Sequence, residues 1–145
     1  MNSKTVIIFG VFDGIHEGHR AFIKEAKSHG DRLVAIVARD SEVNLLKGKY
    51  PLHTEVERIT ALLEVPDIDL VYLGDLEQGT YKILKEVNPD LIFLGYDQTS
   101  LSENIRSAMK EGSIQEREIK FGQAFEPETY KSSILNTRTE NGNSQ

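Results

Sequence analysis

The sequence predicts a parallel, doubly wound α/β sheet flanked by helices, and three observations carry that expectation. Strand-like and helix-like segments alternate along most of the 145 residues. The strand-like segments are short, nearly continuous apolar runs, as expected of strands buried on both faces. Most are followed by glycine, asparagine or aspartate, which favour the turn into the next segment.

Lys4 to Phe9 is the first such run, rich in β-branched residues and closed by Gly10. His19 to His29 reads as a helix, with Ala21, Phe22, Ile23 and Ala26 as a rough apolar stripe and Gly30 as its stop. Arg32 to Ala38 is the second strand. Thr54-Glu55-Val56-Glu57 has the spacing of a helix start, and Val56, Ile59, Leu62 and Leu63 supply its apolar face. A strand over Asp69 to Leu73 and a helix over Thr80 to Val87 follow, broken by Asn88-Pro89-Asp90. Leu91 to Leu94 is another buried strand, Leu101 to Lys110 a helix, and Arg117 to Phe121 an alternating strand suited to a sheet edge. Ser132-Ser133 is placed to cap a short last helix. The run from Thr139 to Gln145 has no apolar residue, so residues 1–138 are expected to form one domain and 139–145 a disordered tail.

Composition narrows the chemistry. With 17 Lys+Arg against 23 Asp+Glu, the formal net charge is −6, which disfavours broad binding to nucleic acid. No apolar run reaches the roughly 20 residues of a membrane span, and a cytoplasmic protein is the expectation. The absence of cysteine excludes disulfides, thiolate metal sites and cysteine nucleophiles. An anionic substrate would need a local cluster of positive groups. In a doubly wound sheet that cluster belongs in the loops beyond the carboxyl ends of the strands, after Phe9, Ala38, Leu73 and Leu94.

The first of these loops reads Gly10-Val11-Phe12-Asp13-Gly14-Ile15-His16-Glu17-Gly18-His19. Gly10 and Gly14 permit tight turns, and Gly18 a close approach at a helix start. His16 and His19 are three residues apart, so a helix start puts both imidazoles on one side. Beside free backbone N–H groups they would suit a phosphate. Two surface histidines in a turn, or a metal pair, fit the same spacing, although no third ligand lies nearby.

Gly10-x-Phe12-Asp13-x-x-His16-x-Gly18-His19 resembles the signature of the cytidylyltransferase-like nucleotidyltransferases, which carry an H-x-G-H motif. The resemblance runs through about Leu135. It includes Val37-Ala38-Arg39-Asp40-Ser41, the Lys47-Gly48-Lys49 loop, Arg58 and Gly95-Tyr96-Asp97-Gln98. The V-A-R-D-S and G-Y-D-Q segments are most similar to archaeal FAD synthases, and glycerol-3-phosphate cytidylyltransferases are the other similar group. The resemblance implies a Rossmann-like nucleotidyltransferase fold of the HUP type. It also implies transfer of a nucleoside monophosphate from ATP, or alternatively CTP, to FMN or another phosphorylated acceptor, with Mg²⁺ on the phosphates and with a homodimer as an analogy.

On this resemblance, His16 and His19 contact the triphosphate, Lys47 and Lys49 hold phosphate oxygens, and Arg58 faces the active site. The same Arg58 could instead be a surface ion-pair partner of Glu55 or Glu57. Gly10, Val11, Phe12, Asp13 and Gly18 border the nucleotide, and Gly95, Tyr96, Asp97 and Gln98 meet its base or ribose. Ser132 and Ser133 match a phosphate-binding Ser/Thr pair that opens the last helix. Asp40, Lys49 and Arg117 are the acceptor candidates. Arg117 or Lys131 would replace an arginine that relatives place just before the serine pair. A non-catalytic nucleotide- or flavin-binding module is the alternative of another class, disfavoured by the intact His16, Gly18, His19, Lys47 and Ser132-Ser133. A fragment related to class I aminoacyl-tRNA synthetases is disfavoured by the short, acidic chain.

Overall fold

The computed structural model describes residues 3–75 and 81–123. Its elements are β1 (Thr5–Gly10), α1 (Glu17–Lys27), β2 (Arg32–Val37), α2 (Asp40–Lys47), α3 (Glu55–Leu63), β3 (Leu70–Leu73), α4 (Lys82–Val87), β4 (Leu91–Leu94), α5 (Thr99–Glu111) and β5 (Glu118–Phe121). Every strand pair is parallel, in the order β3-β2-β1-β4-β5. The chain steps outward from β1 to β3 and returns to the far side of β1 with β4. The reversal lies between β1 and β4, and a ligand crevice belongs beyond their carboxyl ends.

Strand alternation distributes the core. Val6, Ile8, Leu33, Ala35, Leu91 and Phe93 face Ile23 and Ala26 of α1 and Leu62 of α3. Ile7, Val34, Ile36, Ile92 and Leu94 face Ile83 and Leu84 of α4 and Ile105 of α5. The central strands are therefore buried on both sides, which is why they read as unbroken apolar runs. At the sheet edge β5 is largely exposed and alternates, as its sequence predicts.

Three local readings need correction. Residues Asp40–Lys47 form a helix that the apolar pattern does not announce, because Val43 is its one buried residue while Leu45 and Leu46 are 71% and 66% exposed. In α3 Ile59 and Leu62 pack inward as expected and are joined by Arg58, while Val56 and Leu63 are exposed. Helix α1 ends at Ser28 rather than at Gly30. Gly30 is small for another reason: a Cβ there would come within 2.7 Å of the Lys4 carbonyl oxygen. The Ser132-Ser133 helix start, the tail and Thr80 lie outside the described residues. Among the described residues no helix is long and apolar enough to cross a membrane.

Candidate active site

The loop leaving β1 is shaped by one strained residue. Phe12 has a φ of 54°, in the left-handed region that a bulky side chain adopts only when its surroundings hold it there. Its ring is buried and folds back over Gly10, where an added Cβ would meet ring carbons at 2.8 Å. Gly10 thus supplies room for the ring rather than the tight turn its position suggests. Gly14, at φ +88°, does make the turn.

Helix α1 begins with a capping box built from two histidines. His16 Nδ1 accepts from Gly18 N at 3.0 Å and from His19 N at 3.4 Å, while His19 Nδ1 accepts from His16 N at 3.3 Å. The two rings stack with centroids 3.9 Å apart, and the Phe12 ring lies 5.6 Å from that of His19. Because each Nδ1 accepts, a neutral ring carries its proton on Nε2. Burial, reinforced by the neighbouring His16, holds the His19 pKa below its ordinary value, with a hydrogen bond to the Gly14 backbone working the other way. The Gly18 and His19 amides are therefore not the free phosphate donors expected of them. His16 already occupies both.

His19 lines a cavity of about 510 Å³ together with Val11, Phe12 and Asp13. Val43, Lys47, Lys49 and Tyr50-Pro51-Leu52 form its other side. Lys47 is the last residue of α2, and Gly48 caps that helix at φ 75° and turns the chain so that Lys49 reaches the same cavity. Asp13 fastens the two sides together. Its carboxylate accepts from Leu52 N at 2.7 Å, from His53 N at 2.9 Å and from His53 Nδ1 at 2.8 Å. Burial pushes the Asp13 carboxyl upward, but these hydrogen bonds outweigh it and leave the pKa below the ordinary value.

Arg58 underlies the whole arrangement. Only 1% exposed, it donates to His53 O at 3.1 Å, Val11 O at 2.8 Å, Ala38 O at 2.9 Å and Asp40 Oδ1 at 2.6 Å. Four of its five N–H groups are thereby used. It joins the β1 loop, the end of β2, the start of α2 and the entry to α3. The expected direct role at the substrate, like the alternative surface ion pair with Glu55 or Glu57, gives way to a positioning role. Asp40 is similarly committed: its other oxygen accepts from Glu55 N at 3.4 Å, and Glu55 Oε2 accepts from Asp40 N at 2.7 Å. It is a tie between helices rather than an acceptor contact. The sequence gives no signal for His53, nor for the tie of Glu55 to Asp40, because their partners lie 40 and 15 residues away.

Across the strand-order reversal, the β4 loop is also tied to β1. Gln98 Oε1 accepts from Gly95 N at 2.7 Å, and its Nε2 donates to Phe9 O at 3.1 Å. Tyr96 and Asp97 are exposed beside it. Arg117 is elsewhere. It precedes β5 at the amino end of the strand, and its guanidinium donates to Asn88 Oδ1, Pro89 O and Leu84 O. It closes the end of α4 and borders a separate cavity of about 540 Å³ with Lys85 and Asn88, so it is not an acceptor residue. Ser132, Ser133 and Lys131 lie outside the described residues.

The family model for cytidylyltransferase-like proteins matches residues 7–138. The FAD synthase of Thermococcus sibiricus is 36% identical over 130 residues, covering 90% of this chain and 88% of its own. That of Pyrococcus horikoshii is 33% identical over 130 residues, again 90% and 88%. A crystal structure titled as the lipopolysaccharide core biosynthesis protein of Thermoplasma volcanium superposes with a TM-score of 0.77 at 35% identity, covering 86% of this chain and 99% of that one. Pantoate-beta-alanine ligase from Francisella tularensis, at 16% identity and TM-score 0.58 over 83% of this chain and 59% of its own, shares the fold.

Proposed function

The chain belongs to the cytidylyltransferase-like family, and from that premise we propose that it transfers AMP from ATP to FMN, releasing pyrophosphate and forming FAD. It is a nucleotidyltransferase, and the choice of ATP and FMN follows the FAD synthases to which it is similar over nine-tenths of its length. One observation carries the reading: His19, stacked on His16, lines a cavity with Lys47 and Lys49 beside the loop that leaves β1.

In the reaction a phosphate oxygen of FMN forms a bond to the α-phosphorus of ATP, and the bond from that phosphorus to the β-phosphate bridging oxygen breaks. A phosphate monoester has its second pKa near 6, so the nucleophile is ionised at neutral pH and needs no strong base. Catalysis is then alignment of two anions and stabilisation of charge. His16, with Nδ1 committed to the helix start, offers Nε2–H as the donor edge toward phosphate, and the His19 ring stacks against it at the cavity. Lys47 and Lys49 supply the fixed positive charge. Gly95, Tyr96 and Asp97 border the base and ribose, whereas Gln98 serves chiefly to hold their loop.

Magnesium fits this site as an ion carried on the phosphates. Among the described residues no group of three or more His, Cys, Asp or Glu could hold a metal, and both oxygens of Asp13 are taken. When bound, the ion neutralises phosphate charge and keeps several waters. The setting proposed is the cytoplasm, where both substrates are diffusible.

CTP with an alcohol phosphate such as glycerol 3-phosphate is the second reading, favoured by the commitment of the Gln98 amide to the fold, which leaves less side chain for reading the base. Pyrophosphate release by the purified chain with Mg²⁺, pairing ATP or CTP with FMN or glycerol 3-phosphate, decides between them. Release with ATP and FMN alone, with FAD as product, is expected. Release only with CTP and glycerol 3-phosphate would keep the mechanism and overturn the substrates.

A further inference from the structure

One wall of the cavity is apolar and exposed, yet it is held in place. Leu52 is 90% exposed and Tyr50 66% exposed, with Pro51 between them. An exposed leucine on a loose loop would need no explanation. Here Asp13 grips the backbone N–H of Leu52 at 2.7 Å and that of His53 at 2.9 Å, and Arg58 grips the His53 carbonyl at 3.1 Å. Pro51 fixes its own φ. The backbone that carries Leu52 is thus preset at the cavity, with Tyr50 two residues before it, and both large side chains stay exposed rather than joining the core. Lys49 directly precedes Tyr50 and lines the same cavity, as does Lys47. A cationic seat and an apolar ledge are contiguous.

That pairing specifies an acceptor with a phosphate at one end and a flat apolar ring at the other. Resting on the FMN reading above, we propose that Tyr50, Pro51 and Leu52 form the seat of the flavin ring, with Lys49 and Lys47 holding the phosphate. Tyr50 offers a ring face for stacking and Leu52 an aliphatic edge. A small alcohol phosphate would fill only the lysine end and leave the ledge in water. The ledge is therefore the feature that selects a ring-bearing acceptor over a short polar one.

The test is a titration of the full chain with FMN, without nucleotide, read by quenching of flavin fluorescence. Riboflavin is the companion fluorescent probe, and binding of glycerol 3-phosphate and of ATP, which carry no flavin signal, is measured in parallel by calorimetry. Tyr50→Ala and Leu52→Ser remove exposed side chains and leave the backbone grip of Asp13 intact, so far-UV circular dichroism should be unchanged. Each should weaken FMN by about tenfold, the scale of one lost stacking or apolar contact, and weaken riboflavin by the same factor. ATP should stay within about twofold. Lys49→Ala should weaken FMN and leave riboflavin unchanged. If the wild type binds FMN and makes FAD while Tyr50→Ala and Leu52→Ser bind FMN as it does, the ring sits elsewhere: the seat is overturned and the FMN reading stands. If the wild type binds glycerol 3-phosphate and neither flavin, both fall together.

Discussion

Removing the Arg58 guanidinium should damage the fold before it damages the chemistry. In Arg58→Ala, the Val11, Ala38 and His53 carbonyls each lose a charged donor, and Asp40 loses its ion-pair partner. Hydrogen bonds to a charged group contribute about 1.5–3 kcal/mol each, but three around one group do not add independently. The Asp40 side chain is 32% exposed, so water replaces much of what it loses and that pair adds at most about 1 kcal/mol. Deleting one member of a buried charged network typically costs about 3–5 kcal/mol, and the stem of Arg58, fully enclosed, leaves a void as well. About 4 kcal/mol is expected, against a total stability of about 5–15 kcal/mol.

The assay is a urea unfolding curve followed by circular dichroism, with a thermal melt beside it. The midpoint should fall with little change in slope, and Tm by about 10–20 °C. Arg58→Lys keeps the charge but has a single-point head in place of a planar fork, so it should recover only part of the loss. At a temperature where the lysine variant is fully folded, KM should rise more than kcat falls, because loops are displaced while the phosphate donors remain. A loss below about 1 kcal/mol in Arg58→Ala, accompanied by a collapse of kcat, would refute the positioning role and return the residue to direct contact with substrate.

Other outcomes follow from the same geometry. The His19 pKa in the free chain should lie below 6.5, so its neutral form stabilises the fold above that pH and the contribution is lost as pH falls through the depressed value; a ring-proton NMR titration giving 6.5 or above would contradict it. His16→Ala and His19→Ala should lower turnover by orders of magnitude in the pyrophosphate assay while costing about 1 kcal/mol in urea, the scale of a lost helix cap, and near-normal turnover in both would remove the phosphate role. Gly10→Ala should displace the Phe12 ring at a cost of about 1–3 kcal/mol, read from the urea midpoint and from a fall in kcat/KM; an unchanged midpoint would show that the ring has room. In Asp13→Asn the clamp on Leu52 and His53 weakens, and about 1–2 kcal/mol should be lost at neutral pH. The gap to the wild type should close as the solution is taken below pH 3.8 and through the lowered Asp13 value, since the carboxylate is worth its hydrogen bonds only while ionised; a gap that persists there would refute the clamp.

The parts of this fold that were legible in the sequence are those whose burial is uniform. Ile7, Ile8, Val34, Ala35 and Leu91 to Leu94 are buried whichever face they point to, so the run itself reveals the strand. Helix α2 left no such trace, because it buries Val43 alone and presents Leu45 and Leu46 to solvent. Strand order is set by packing between elements and has no local signature. Arg58 illustrates the limit at the site: in sequence it sits among glutamates on an ordinary helix, and its partners lie 5, 18, 20 and 47 residues away.

The motif residues divide into those that hold loops and those that face the cavity, and a signature alone cannot separate them. Asp13, Asp40, Arg58 and Gln98 have the chemistry of ligands, yet each spends polar atoms on tying one element to another. His16 does both at once, with Nδ1 holding the helix start while the residue as a whole stays exposed. The pattern follows from where doubly wound folds put their sites. Loops at the carboxyl ends of strands carry irregular backbone whose N–H and C=O groups have no ladder partners, and they must be satisfied before anything can be positioned. Using Asp13 and Asp40 to clamp loops meets that need, because it satisfies orphaned amides and pairs the buried Arg58 charge. Substitutions should therefore separate by role, with Asp13, Asp40 and Arg58 read in the urea midpoint and in KM, Lys47 in turnover, and His16 and His19 in both turnover and midpoint.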